Sequence, residues 1–179
     1  MEKYPFSKHF GFTTSHTTRS PRPGEEDGIE YHFTTIPQMK KAITEGRFIE
    51  HAEVHGNLYG TSFEALQNVQ HDQHKFCLLD IDVQGVKNIK EHEQRKEHPL
   101  VQGHFVFIAP PSMEMLESRL RGRGTETPES LERRTANAKA EMEYGLSDGT
   151  FDHVVVNGNL DQACEDFDRV IKELYSDLV

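Results

Sequence analysis

Four stretches concentrate side chains suited to phosphate and charge. Ser15–Tyr31 reads SHTTRSPRPGEEDGIEY, with Arg19 and Arg22 in a segment stiffened by Pro21 and Pro23. A guanidinium offers a planar fork of donors that matches phosphate oxygens. Hydroxyls at Ser15, Thr17, Thr18 and Tyr31 surround the two arginines, and Gly11 to Gly24 carries two positive charges and no acid in a chain of net charge −10. The plain alternative is a solvated turn with two surface arginines. Gly56–Ser62 (GNLYGTS) sets the Tyr59 hydroxyl between glycines that permit close backbone approach, although most such turns are only turns. Leu78–Asp82 (LLDID) ends an apolar strand in acids. Asp80 suits support of Mg²⁺, directly or through water, and Asp82 suits the N-cap of the next helix. Arg119–Arg134 (RLRGRGTETPESLERR) holds five of the 20 basic residues: Arg119, Arg121, Arg123, Arg133 and Arg134. Gly122 and Gly124 flank Arg123, as a lid closing on phosphate requires. Glu126, Glu129 and Glu132 allow the alternative of an ion-paired surface helix.

The 11 histidines invite a metal reading that their spacing does not support. His51 and His55 fall in an expected strand, where a separation of four does not converge. His71 and His74 lack a third ligand, and no cysteine pair suggests zinc. They are read as surface residues.

The elements that must position these groups alternate. Strands are expected at Phe12–Ser15, Glu30–Thr34, Arg47–His55, Lys75–Ile81, His104–Ala109 and Asp152–Val156. Helices are expected at Thr35–Glu45, after a Thr61 or Ser62 cap, at Val83–Glu93, from Ser112 to Arg121, at Pro128–Leu146 after a Thr127 cap, and at Asn159–Leu178. Gly56–Gly60 reads as a turn and Gly122–Thr127 as a loop. The charged run Glu91–His98 ends a helix and starts a loop. The apolar runs KFCLLDI, HFVFIA and DHVVV read as strands buried on both faces of a parallel sheet covered by helices. The more polar Glu30–Thr34 and Arg47–His55 read as a small accessory sheet. Ligands of such folds sit at the C-terminal strand ends, here Asp80-Ile81-Asp82, Pro110-Pro111 and Asn157.

At 179 residues and net charge −10 the chain is of single-domain size and a poor binder of nucleic acid or anionic membrane. No run is apolar enough to span a membrane, and Met1–Phe10 lacks the apolar stretch of a signal peptide. No internal repeat or linker divides it. Cys77 and Cys164 read as buried free thiols of a reducing cytoplasm.

In order and spacing, SHTTRSPRPGEEDGIEYHF, FIEHAEVHGNLYGTS, LLDIDVQG, FIAPPS and RLRGRGTET resemble the guanylate kinase family from about Phe10 to the C-terminus. The resemblance implies an α/β, P-loop kinase-like parallel sheet with helices on both faces. The core would be residues 10–29 and 62–179, the GMP-binding β-rich subdomain about 30–61, and the arginine-rich lid about 119–134. It implies transfer of the γ-phosphoryl of ATP to GMP or dGMP with Mg²⁺, in the cytoplasm. Ser15, Glu50 and Thr61 match the guanine-reading group. Arg19, Arg22, Tyr31 and Tyr59 match the GMP phosphate clamp, and Glu25 and Asp82 belong with the GMP-binding set. Asp80 matches the magnesium-side acid, bound through water. Arg22, Arg123, Arg134 and Asp80 are the expected catalytic residues. Arg119, Arg123 and Asn157 are expected on the ATP side.

The family begins with a strand and a G-x-x-x-x-G-K-[ST] loop, and no such run occurs in these residues. That loop holds the ATP phosphates, so the chain is expected to be impaired in catalysis while binding GMP. A monomer is expected, and loss of a central strand gives self-association a cause. Asn157-Gly158-Asn159 also departs from the family's usual acids. A fragment, a short form and a non-catalytic GMP- or phosphopeptide-binding module are the competing readings. The intact LDID and RGRGTE runs speak against the last.

Overall fold

The computed structural model describes residues 8–54, 56–95, 103–122 and 128–176. The chain divides into two compact units, Met1–Gln102 and Gly103–Val179.

In the first unit, β1 (Phe10–Phe12) pairs in parallel with β6 (Phe76–Leu78). The Thr13 amide extends the pairing, donating to the Leu78 carbonyl at 2.9 Å. The chain then enters a four-stranded sheet of β2 (His16–Thr17), β3 (His32–Phe33), β4 (Phe48–Val54) and β5 (Asn57–Ser62), ordered β3-β2-β5-β4. The pairs β2–β5 and β4–β5 are antiparallel, and β2–β3 is parallel. Helix α1 (Ile36–Thr44) is fixed by a capping box between Thr35 and Gln38, with Pro37 in the first turn where no amide is needed. Its end is marked by Gly46 at φ 68°, a conformation that suits glycine. Met39 of α1 packs with Phe48 and Leu58, and Ala42 and Ile43 lie against them. Ser62 caps the short α2 (Phe63–Gln67), accepting from the Ala65 amide, and one π-helical turn (Asn68–Asp72) follows. Helix α3 (Val83–Arg95) starts just beyond β6 and buries Val86 and Ile89.

The second unit pairs β7 (Val106–Ala109) with β8 (His153–Val156) in parallel. It adds α4 (Met113–Gly122), α5 (Pro128–Gly145) and α6 (Leu160–Leu174). Ser112 caps α4, accepting from the Met115 amide at 3.2 Å, and Asn159 caps α6.

Several sequence expectations need correction. GNLYG is not a turn: it is largely the strand β5, and β1 ends where the expected Phe12–Ser15 strand begins. The apolar runs are not buried on both faces. Phe76, Ile108, Val154 and Val156 are exposed, because β6, β7 and β8 lie in two-stranded sheets. Cys77 and Cys164 are free but only half-buried. His51, His71 and His74 are exposed, as expected, whereas His16 is half-buried between His32 and Phe48. His55, the Thr127 cap and the loop at 123–127 lie outside the described residues, as do 1–7 and 96–98 of the segments read above. No helix among the described residues is long and apolar enough to cross a membrane.

Candidate active site

The four-stranded sheet sorts side chains by parity. Leu58, Gly60 and Ser62 of β5 share one face, and Tyr59 and Thr61 share the other. Cross-strand partners follow them: His16 pairs with Gly60, Thr17 with Tyr59, His51 with Gly60 and Ala52 with Tyr59. An unbroken β4 would put Phe48 and Glu50 on one face. The register shifts between them, so that Phe48 pairs with Ser62 and Glu50 with Thr61. Ile49 is the extra residue of a β-bulge, a device that re-aims side chains. Phe48 turns to the α1 face, beside His16, and Glu50 turns to the opposite one.

That opposite face gathers the residues expected to read the base. Ser15 Oγ and Thr61 Oγ1 lie 3.1 Å apart. Glu50 is only 4% exposed, and Thr61 is fully buried. Burial pushes the Glu50 carboxyl above the usual carboxylate range, and the nearby Asp82 charge pushes the same way. Hydrogen bonding from the Thr61 hydroxyl and amide opposes both. The result is a carboxylate supported on one side and costly to keep ionised until further donors reach it.

A second cluster adjoins it on the same face. Arg19 makes a two-point pair with Glu25, each contact 2.9 Å, and its guanidinium lies 5.3 Å from the centroid of the Tyr31 ring. Phe33 lies beneath it at 5.8 Å. The Arg19 amide donates to Thr17 Oγ1, and Thr17 Oγ1 donates to the Leu58 carbonyl. Glu25 also accepts from the Arg22 amide at 2.7 Å, so one carboxylate shapes the loop carrying both arginines. The Arg19 hydrogen bond first, and the Arg22 amide next, hold the Glu25 carboxyl below its ordinary range, and the bond to Glu25 raises the Arg19 pKa. Tyr31 and Tyr59 meet edge to face at 6.0 Å. Burial raises the Tyr31 phenol, and Tyr59 and the Asp80 charge add to it, which places Asp80 within electrostatic reach. Asp80 itself is exposed. Asp82 takes the capping role the sequence allows: its Oδ1 accepts from the Gly85 amide at 2.7 Å.

The second unit holds the residues expected on the donor side. Both terminal nitrogens of Arg119 donate to backbone, Nη1 to the Asn157 carbonyl at 2.8 Å and Nη2 to the Gly158 carbonyl at 3.0 Å. Arg119 and Asn157 are thus brought together at the exit of β8. Arg134 is half-buried on α5. Arg123 lies outside the described residues, as do the other residues of 123–127 in the expected lid.

Sequence reading missed three contributors. Phe33 underlies Arg19, Ile49 creates the bulge, and Gly85 abuts Glu50. Only Gly85 left a signal, a glycine in the first turn of a helix.

The sequence matches the guanylate kinase family model over residues 3–174. A guanylate kinase of Sus scrofa is 50% identical over 157 residues, 88% of this chain and 75% of its own length. One of Homo sapiens is 49% identical over 164 residues, 92% and 79% of the two lengths. Guanylate kinase 1 of Oryza sativa subsp. japonica is 46% identical over 171 residues, but these residues span only 42% of its length. The crystal structure of guanylate kinase from Anaplasma phagocytophilum superposes with a TM-score of 0.71 at 27% identity, covering 94% of this chain and 78% of that one. With a family match across nearly its whole length, and relatives that are kinases at about half identity, the chain belongs to the guanylate kinase family of enzymes.

Proposed function

We propose that the chain takes GMP or dGMP as acceptor and ATP as donor, forming GDP and ADP in the cytoplasm as a monomer. The buried Glu50 carboxylate beside the Ser15 and Thr61 hydroxyls carries this reading. Guanine presents N1–H and a 2-amino group to such a carboxylate. Adenine has an acceptor at N1 and no 2-amino group, so it would leave Glu50 unpaired. Arg19, Arg22, Tyr31 and Tyr59 then hold the acceptor phosphate, with Glu25 orienting the arginines and Asp82 holding the start of α3. One acceptor oxygen attacks the γ-phosphorus as the bond to the ADP oxygen breaks. Positioning and charge neutralisation carry such transfers. Arg22, Arg123 and Arg134 are assigned to the transferring phosphoryl, and Arg119 and Asn157 to the ATP side.

Among the described residues no three His, Cys, Asp or Glu side chains could together hold a metal ion. A lone exposed Asp80 fits Mg²⁺ that keeps its waters and is carried by nucleotide phosphates, the common mode for that ion. When bound, the ion neutralises phosphate charge, and Asp80 would hold it through water.

The 179 residues contain no G-x-x-x-x-G-K-[ST] run. We infer that, taken alone, they bind GMP and transfer phosphoryl slowly, since each lost donor to the developing charge costs about 10²–10³ in kcat. Calorimetry with GMP, paired with an assay of ATP-dependent GDP formation, tests both parts. Glu50→Ala should abolish preference for GMP over AMP, and Arg22→Ala should weaken both nucleotides. A phosphopeptide-binding module would ignore Glu50→Ala, and that result would sink the reading.

A further inference from the structure

We propose that Gly85 is a positioning residue for guanine selection, and that its missing side chain is the space in which the Glu50 carboxylate sits. The inference rests on Glu50 reading the base.

Gly85 is the third residue of α3. Alanine is the better helix former, so glycine there calls for a reason. Backbone conformation does not supply one, because Gly85 is not among the glycines with positive φ. Space does. A Cβ on Gly85 would lie 2.7 Å from Glu50 Oε2, 3.3 Å from Glu50 Cδ and 3.4 Å from Ile81 Cβ.

The nature of the obstructed atom separates this glycine from an ordinary packing glycine. At Gly60 a Cβ would meet the Glu50 backbone carbonyl at 2.8 Å and the Phe48 ring at 2.8 Å, neither of which yields cheaply. At Gly85 the closest atom is the far end of a side chain. The fold can accommodate the change by moving the carboxylate, and the carboxylate is the part with a function.

The helix cannot easily retreat instead. The Gly85 amide is tied to Asp82 Oδ1 at 2.7 Å, the Val86 amide to the Asp82 carbonyl at 3.1 Å, and Asn88 Nδ2 to the His51 carbonyl at 2.7 Å. The start of α3 is therefore pinned both to the β6 exit and to β4, the strand that carries Glu50.

The test uses GMP, IMP and a thermal melt on the full chain. IMP keeps N1–H and lacks the 2-amino group, so the ratio of GMP to IMP affinity reports the second bond to the carboxylate. Gly85→Ala should weaken GMP by about tenfold to a hundredfold, the range for losing a hydrogen bond to a charged group. It should lower the GMP/IMP ratio and leave the melting temperature unchanged or higher. Glu50→Asp, one methylene shorter, should lose less affinity in the Gly85→Ala background than in the parent. Unchanged GMP affinity and ratio in Gly85→Ala, with Glu50→Gln still destroying guanine preference, overturns the inference and leaves the base-reading role standing. A lowered melting temperature with the ratio intact makes Gly85 a packing residue and also overturns it. Guanine preference that survives Glu50→Gln removes both.

Discussion

Glu50 shows how one side chain can work against the fold that holds it. Its carboxyl is raised by burial first and by Asp82 next, and Thr61 only partly offsets this. A carboxyl raised in the folded state favours protonation there, so its contribution to stability is full below the unfolded pKa and is lost as pH rises through the folded value. At neutral pH the ligand-free protein thus bears a cost. Glu50→Gln should raise the neutral-pH melting temperature of the free chain while weakening GMP by about tenfold or more, since a neutral amide accepts less strongly and its NH₂ opposes the guanine donors. In the parent, GMP affinity should fall as pH drops through the raised Glu50 pKa. Calorimetry from pH 5 to 8 should show Glu50→Gln lacking that component, and an unchanged profile would contradict the ionised role.

Elements decide which of two adjacent faces a residue serves. Helix α1 is legible in the sequence because Pro37 in its first turn and Gly46 at its stop are local signals, and the Thr35–Gln38 capping box adds to them. So is the gathering of Ser15, Arg19, Tyr31 and Glu50, although through motif likeness and not through pattern. The bulge is not legible, because FIEHAEV carries no mark of where pairing slips and the glycines of the partner strand read as a turn. The exposure of Ile108 (48%) and Val156 (51%) is not legible either: an apolar run says what would favour burial, not how many strands lie beside it. Gly60→Ala tests the sheet directly. Its Cβ meets backbone and a packed ring, so it should destabilise by about 1–3 kcal/mol, seen as a lower urea midpoint with an unchanged slope.

For the whole molecule, the residues proposed for the acceptor belong to Met1–Gln102, and Arg119, Arg134 and Asn157 to Gly103–Val179. Ligand linkage can address each unit by its own amides. GMP at about a hundredfold its Kd should stabilise the native chain by about 2.7 kcal/mol. Hydrogen exchange should slow most in β2, β4 and β5 and less in β7 and β8, and equal protection across both units would contradict an acceptor site built in the first. The bulge at Ile49 has a consequence for how this chain can vary. Because the bulge absorbs one extra residue, Phe48 and Glu50 face opposite sides of the sheet although they are two apart in sequence. Ile49 is itself buried, so its composition is exchangeable among apolar residues of similar size. Deletion of Ile49 would leave Phe48 and Glu50 as successive strand residues, paired with Ser62 and Thr61 as before and facing opposite sides, so the strand can shorten by one here without exchanging its two faces, at the cost of one buried apolar side chain.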